Sequence, residues 1–509
     1  MSPVLLPGKR GMSLAYSCAL AAAVATAGCS LVYDPDDLRA GRDGGASADA
    51  GPNDLFVARV TPDSVFEGEG SSYDPELEEM VRRIPIVLEG QNMTAETDFT
   101  IEGLGLDMAI EDVQVSGDGH FAAFALRVPI LDAVGDGDMS ESLSIHLDKA
   151  GETTNAPLIE VTGLDALELD GDGLDADELH GSYTHVRLSG EVTATGSAAI
   201  RIVATAGIEI DGTLRADAGS APSPGPGGCP GGGSATAADC GTGSGKAGES
   251  SASPGGGGGG GYGTGGTAGS GGAGQAGGTA GQKFLVALPP AEGATAHGAG
   301  GGGGGDNVAT AGARGGGSGG TLELTTPATF TMSGTALLSA AGGDGQDSTC
   351  TVGGGGGGGS GGAILIRAGR LLVGDGAEAV APGGQGAGDP SCLGGNGGKG
   401  RIRIDRGSGA GIAADPTAFI GAAPILDDLD VIVTDATLVV PVRGDASASY
   451  QIFVGDGGPR AFDTGADGTA NPDVMLEPGL NRLCVQVAAG ANLDFPESTN
   501  CVNVAYIKP

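Results

Sequence analysis

The chain has no tryptophan in 509 residues, and only seven tyrosines and eleven phenylalanines. It therefore lacks the stacking platforms on which single-stranded nucleic-acid binders and most sugar-binding clefts depend. Basic residues are few as well: 25 Lys and Arg stand against 63 Asp and Glu, a formal net charge of −38. A surface of that sign repels phosphate backbones and no basic stripe interrupts it, so nucleic acid is excluded as a partner. The five histidines, at 120, 146, 180, 185 and 297, are dispersed and read as surface residues. No G-x-S-x-G elbow is present, and Gly245-Lys246 is followed by Ala247, where a phosphate loop needs Ser or Thr. These absences leave no catalytic residue to nominate, and the chain reads as non-enzymatic.

Glycine is what the sequence has in excess. Of its 104 glycines, 69 fall between residues 201 and 400, far above globular usage. The composition divides the chain into a leader (1–29), a tether (30–53), an alternating region (54–150), an acidic linker (151–181), a glycine-rich region (182–423) and a C-terminal region (424–509).

The leader begins with Lys9-Arg10 and an apolar run too short to span a membrane securely, as a signal peptide does. Thr26-Ala27-Gly28-Cys29 resembles a bacterial lipobox, with Thr26 where an aliphatic residue is usual. The resemblance implies lipidation of Cys29 and, with Ser30 following it, anchorage in the outer membrane. Six cysteines then remain: Cys229, Cys240, Cys350, Cys392, Cys484 and Cys501. An even number in an exported chain points to disulfides, and the absence of a Cys-x₂-Cys pair disfavours zinc.

The fold class expected is all-β. Runs such as FVARVTP, RIPIVLEGQNM and AAFALRVP alternate apolar and polar positions between turn residues. The order VTPDS, PIVLEGQNM, FTIEG, LRVP resembles an IPT/TIG immunoglobulin-like domain, though GEGSSYDPELEEMVRR stands where a glycine pair is usual; such domains space and present. The region 424–509, with DLDVIVTD, SYQIFVGDG and NRLCVQVAA, resembles a second immunoglobulin-like sandwich.

Between them lies an imperfect repeat. Val186-x-Leu188-x-Gly190-x-Val192-x-Ala194 aligns with Ile208-x-Ile210-x-Gly212-x-Leu214-x-Ala216, with Phe330-x-Met332-x-Gly334 followed by Leu337 and Ala340, and with Leu371-x-Val373 followed by Gly376 and Ala379. The pairs Ile200-x-Ile202, Leu322-x-Leu324, Ile364-x-Ile366 and Ile402-x-Ile404 recur alongside. Short period-two strands in similar units read as stacked coils of a β-helix or β-solenoid, since one coil cannot bury its apolar face alone. A sandwich or jelly roll with long loops is the alternative.

Glycine-rich inserts start after Gly219, Gly342 and Gly383 and end at Gly320, Gly362 and Gly400. If the coils stack, the inserts leave one edge side by side. The near-pure runs 255–261, 300–305 and 353–359 suit extended three-fold helices, which have no internal hydrogen bonds and must bond to neighbours. In this the region resembles the polyglycine sandwiches of phage tail-tip adhesins and the glycine-rich domain of the anaplastic lymphoma kinase family. Disordered loops are the competing reading, because glycine is costly to order. Cys350 and Cys392 fall eight and nine residues into successive inserts. The expected pairs are therefore Cys350–Cys392, Cys229–Cys240 and Cys484–Cys501.

Asp170, Asp172, Asp175, Asp177 and Glu178 have carboxylates close enough to ligate Ca²⁺, with Leu174 at a position an EF-hand loop gives to a ligand; a solvated acidic linker explains them too. No other cofactor is implied. The expected function is a structural or adhesive surface lipoprotein whose partners are the outer membrane and an unidentified surface polymer or protein. Its rival is a polysaccharide-active β-helix enzyme with an unrecognised site.

Overall fold

Alternation of β-branched and aliphatic residues with small polar ones makes strands throughout, and among the described residues there is no α-helix. The computed structural model describes residues 54–66, 71–74, 79–102, 109–128, 140–162, 166–169, 174–175, 179–239, 243–271, 275–284, 298–421, 425–426, 429–455, 457–487 and 500–508. Cys18, Cys29 and the tether fall outside them.

The first strands form two sheets. One has the order Phe56–Thr61, Glu79–Gln91, Phe121–Val128, Ala109–Val115, with Ser71–Asp74 also paired to Glu79–Gln91. The other runs Ser64–Phe66, Ile159–Thr162, Ser140–Lys149, Asp98–Glu102, with Glu152–Asn155 beside Ser140–Lys149. Ile86, Leu88, Phe124, Leu126, Leu143 and Ile145 fill the space between them.

In the middle region the chain alternates between two parallel sheets. A long-strand sheet has the order Leu167–Leu169, Gly181–Leu188, Ile200–Ile210, Thr321–Met332, Ala363–Val373, Arg401–Gly409, Phe419–Gly421. A short-strand sheet runs Leu174–Asp175, Glu191–Thr195, Thr213–Arg215, Leu337–Ser339, Glu378–Val380, Ala413–Asp415. The pairing is the sequence repeat itself: Val186 lies beside Ile208, Ile208 beside Phe330, Phe330 beside Leu371, and Ile200, Leu322, Ile364 and Ile402 form one row. These rows face the short-strand residues Val192, Leu214, Leu338 and Ala379 across a continuous apolar core.

Two expectations are corrected here. Leu338, not Leu337, pairs with Leu214 and is fully buried, because the connection that leaves Met332 through the turn at Gly334 and Thr335 is two residues longer than the one that leaves Ile210. Residues 151–181 are not simply a linker. Glu152–Asn155 and Ile159–Thr162 complete the first pair of sheets, while Leu167–Leu169 and Leu174–Asp175 begin the parallel ones. The acidic residues there occupy exposed positions that alternate with core-facing Ile159 and Leu169, so the charge excess concealed the strands.

The C-terminal region forms a five-stranded sheet, Ile432–Val433, Asn500–Tyr506, Gly479–Val487, Ser449–Val454, Arg460–Asp463, with two smaller sheets around Tyr450, Ile452, Leu483 and Val504. It packs against the first region: Val87 and Ala123 share a buried cluster with Ala505 and Ile507. Ser71–Asp74 in turn lies against Thr321–Met332 and Ala363–Val373. The first region thus meets both of the others.

Burial makes the phase at Leu337 and Leu338 testable. Leu338→Ala is expected to destabilise by about 2–5 kcal/mol and Leu337→Ala by about 1 kcal/mol or less. Amide hydrogen exchange in Ile200–Ile210 and Thr321–Met332 should separate the two variants.

Candidate binding surface

The glycine-rich inserts, each between a short strand and the next long strand, are held together by backbone hydrogen bonds. In the run 255–261 the amide N–H groups take three directions in turn. Gly256 and Gly259 donate to Ser270 and Thr267, Gly257 and Gly260 to Gly355 and Gly358, and Gly258 and Gly261 to Lys246 and Gly243, at 2.8–2.9 Å. The carbonyls of the same run accept from three further segments: Gly302 and Gly305, Gly278 and Gly281, Gly395 and Gly398. One extended segment therefore has six neighbours, with a three-residue period. The run 353–359 has six of its own. It donates to segments containing Cys392, Gly302 and Gln346, and accepts from those containing Gly257, Ala313 and Ala387.

The three near-pure runs lie at the centre and bond to one another, Gly257 to Gly355, Gly302 to Gly258 and Gly357 to Gly302. This location accounts for their purity. A Cβ on Gly257 would sit 2.1 Å from the Gly302 oxygen, and one on Gly301 2.2 Å from that of Gly357. Peripheral segments have an open side and carry larger residues on it. Thr264 and Thr267 are exposed at a three-residue interval, and their hydroxyls accept from the N–H groups of Lys399 and Asn396 at 2.8 and 2.7 Å.

The turns at the end away from the coils are tied together. Asp306 N–H donates to Ser250 Oγ (3.0 Å), Asn307 Nδ2 to the Thr351 carbonyl (2.7 Å), and the Thr310 hydroxyl to the Val352 carbonyl. Cys350 and Cys392 are joined by a disulfide with Cα atoms 5.7 Å apart, bridging the second and third inserts. On this framework three aliphatic side chains stand exposed, Val308 (84%), Val352 (46%) and Leu393 (37%), one on each of three turns. Sequence reading missed them, since isolated aliphatics in low-complexity stretches carry no periodic signal.

Cys484 and Cys501 are also bridged. Cys229 is disulfide-bonded, and its expected partner Cys240 lies outside the described residues. Of the calcium candidates, Asp170, Asp172, Asp177 and Glu178 lie outside them too, while Asp175 is placed only as backbone of Leu174–Asp175. Among the described residues no three His, Cys, Asp or Glu side chains gather as metal ligands would.

Ser116, Asp118 and His120 lie together but do not assemble a nucleophile with its base. Ser116 Oγ donates to Asp118 Oδ1 (2.6 Å), and His120 Nδ1 is 3.5 Å from Asp118 Oδ2. A triad needs the serine against the histidine, whereas both partners here address the carboxylate. The Ser116 bond, with the His120 N–H, holds Asp118 below its ordinary pKa, which makes it a poorer base. A cavity of about 420 Å³ beside it is lined by Phe121, Gly479, Tyr506 and Ile507. A second, of about 410 Å³ and lined by Asp98, Phe99 and Ile110, holds a single carboxylate.

Carboxylates on the long strands are linked through arginines, in the interior. Glu323 lies 3.0 Å from Arg201 Nε and 3.6 Å from Arg367, Arg367 lies 3.5 Å from Asp405, and Asp405 lies 2.7 Å from Arg403. Arg403 also reaches Asp445 of the C-terminal region at 2.9 Å. Burial opposes the Arg403 charge, and Asp405 and Asp445 more than offset it, so its pKa lies above the ordinary value. Glu209, Asp211 and Arg215, polar residues of the strands and turns of this region, are surface ion-pair members with Arg187, Glu191 and Asp217.

No protein-family model, curated protein or solved structure matches the chain.

Two predictions follow from this geometry. Gly257→Ala should destabilise the bundle by about 4 kcal/mol or more, because the lattice must open on that side, whereas Gly265→Ala, whose Cβ would have 3.5 Å to its nearest neighbour, should be neutral or stabilising by about 0.4–1 kcal/mol. Thermal melting and exchange of the Gly355 and Gly358 amides report both. The second concerns Tyr450, fully buried, whose oxygen accepts the Asp445 N–H at 2.8 Å. Burial pushes its phenol from 10.0 up to about 12. Since the folded value lies above the unfolded one, the stabilisation is intact below about pH 10 and lost as pH rises towards 12. Titration of tyrosinate absorbance should show a late step that Tyr450→Phe removes.

Proposed function

We propose that the chain is an exported, non-catalytic structural or adhesive protein, held at the outer membrane by a lipid on Cys29. In this reading the two parallel sheets are a β-solenoid, and the inserts form a polyglycine II bundle that the solenoid carries. The first region is an IPT/TIG-like sandwich and the C-terminal one an immunoglobulin-like sandwich. The bundle's distal turns touch a surface polymer or protein through Val308, Val352 and Leu393.

The observation that carries the reading is the mutual bonding of the three glycine runs beneath turns that are tied to one another. Such a body is rigid without bulky side chains, and rigidity lowers the ordering cost of any contact its tip makes. The non-catalytic part is supported by the carboxylates Glu323 and Asp405, on strands either side of the one that carries Arg367, whose side chains are at most 2% exposed and engaged by that arginine.

Two measurements test it separately. In a Gram-negative host, a palmitate analogue should label the full chain and not Cys29→Ser; equal labelling refutes the anchor. Beads coated with the chain should adhere to the producing cells and to an alkylated surface. The triple variant Val308→Asp, Val352→Asp, Leu393→Asp should lower retention on the order of tenfold, the equivalent of roughly 1.4 kcal/mol. Retention equal to wild type removes the tip from the adhesive role.

A further inference from the structure

The interior ion pairs occupy an unusual place. Arg201, Glu323, Arg367, Arg403 and Asp405 stand on the face of the long-strand sheet opposite the apolar core, at the middle position of the Ile-x-Ile repeats or two residues on. Positions of that kind face water when a sheet has one free face. Here each of the five is at most 8% exposed. What encloses them comes from elsewhere in the chain: Ser71–Asp74 lies against two of these strands, and Asp445 arrives from the C-terminal region.

Asp445 is itself held. Its N–H donates to Tyr450 Oη, and its carbonyl accepts from Thr464 Oγ1 at 2.5 Å. Tyr450 belongs to the core of the C-terminal region, so the carboxylate is fixed relative to that core. On the other side, Arg403 Nε donates to Asp405 Oδ1, and the guanidinium lies over the Phe419 ring at 5.0 Å. Gly421, paired with Asp405 on the last strand, leaves no room to spare. A Cβ there would be 2.6 Å from an Arg403 nitrogen and 2.7 Å from an Asp405 oxygen. The guanidinium cannot swing away cheaply, because two carboxylates hold it in a buried site.

We infer that the Glu323–Arg367–Asp405–Arg403–Asp445 chain of charges is an electrostatic latch that locks the C-terminal region onto the last strands of the long-strand sheet. Removing one partner of a buried pair leaves an uncompensated charge, which the region can relieve by separating so that water reaches it. The loss should therefore appear as detachment of the C-terminal region, with the coils and bundle intact. Replacing Arg403 and Asp445 together by apolar residues removes the unpaired charge, leaves Asp405 to Arg367, and should restore attachment.

The experiment uses the full chain, with hydrogen exchange followed by peptide across residues 425–508 and, as internal control, across 298–362. Asp445→Ala and Gly421→Ala should each raise exchange in 425–508 by about tenfold or more, leave 298–362 within about twofold, and increase the radius of gyration in solution scattering. The double variant Arg403→Leu, Asp445→Leu, which keeps Asp405 for Arg367, should return exchange towards wild type. Unchanged exchange in Asp445→Ala overturns the latch. So does loss spread equally over 298–362, which would make the ion pairs part of the parallel sheets' own stability, and so does a double variant worse than Asp445→Ala.

Discussion

A backbone carbonyl oxygen lying about 2 Å from the point a Cβ would occupy is the contact on which the middle of this protein rests. It recurs at nearly every glycine of the three central runs: 2.1 Å at Gly257, 1.9 Å at Gly304, 2.2 Å at Gly357. Glycine is costly to order, so a run of it folds only if each N–H and C=O gains a partner that the unfolded chain would find in water. Six neighbours meet that demand in every direction, with Cα–H···O contacts as secondary support. The requirement is collective. No run can be ordered alone, because the partners of each come largely from the other two and from the segments around them.

The parallel sheets make the collective event feasible by bringing the inserts to one edge at the right spacing. Hydrogen bonding is continuous across the boundary: Gly320 donates to Ala216, Ala363 to Gly320, Gly362 to Ala340, Arg401 to Gly362 and Gly400 to Ala381. Coils roughly 4.8 Å apart therefore hand over directly to glycine segments at a comparable separation. The Cys350–Cys392 bridge, 42 residues apart in sequence, adds restriction at the far end, where the unfolded inserts have most freedom to lose.

Much of this was legible because the repeat is written in residue type. The apolar pairs from Ile200 to Ile404 align as they pair, since a one-residue slip would turn each to the other face. The equivalence of Cys350 and Cys392 followed from counting along inserts that leave one edge. Leu337 was misplaced because two adjacent leucines satisfy the pattern equally, and only the length of the preceding turn selects between them. The buried charges were illegible for another reason. Alternation reports which face of a strand opposes the core, and it is silent on whether a distant segment such as Asp445 covers the other face. Arg201, Glu323 and Arg403 stood at regular positions, yet the same pattern describes a solvated surface.

On the adhesive reading, the composition also constrains how the protein grips. Three aliphatic side chains offer little area compared with the aromatic and arginine anchors that dominate tight interfaces, and the chain has no tryptophan to supply one. A single tip is thus suited to weak, rapidly exchanging contact. Copies lipidated into one membrane would present many such tips at a high effective concentration, and the strength of attachment would scale with their number. Rigidity then matters more than affinity. A flexible stalk would let each tip explore a volume and dilute that concentration, whereas a glycine bundle bonded in every direction, on coils latched to their neighbouring region, holds its tip to one direction.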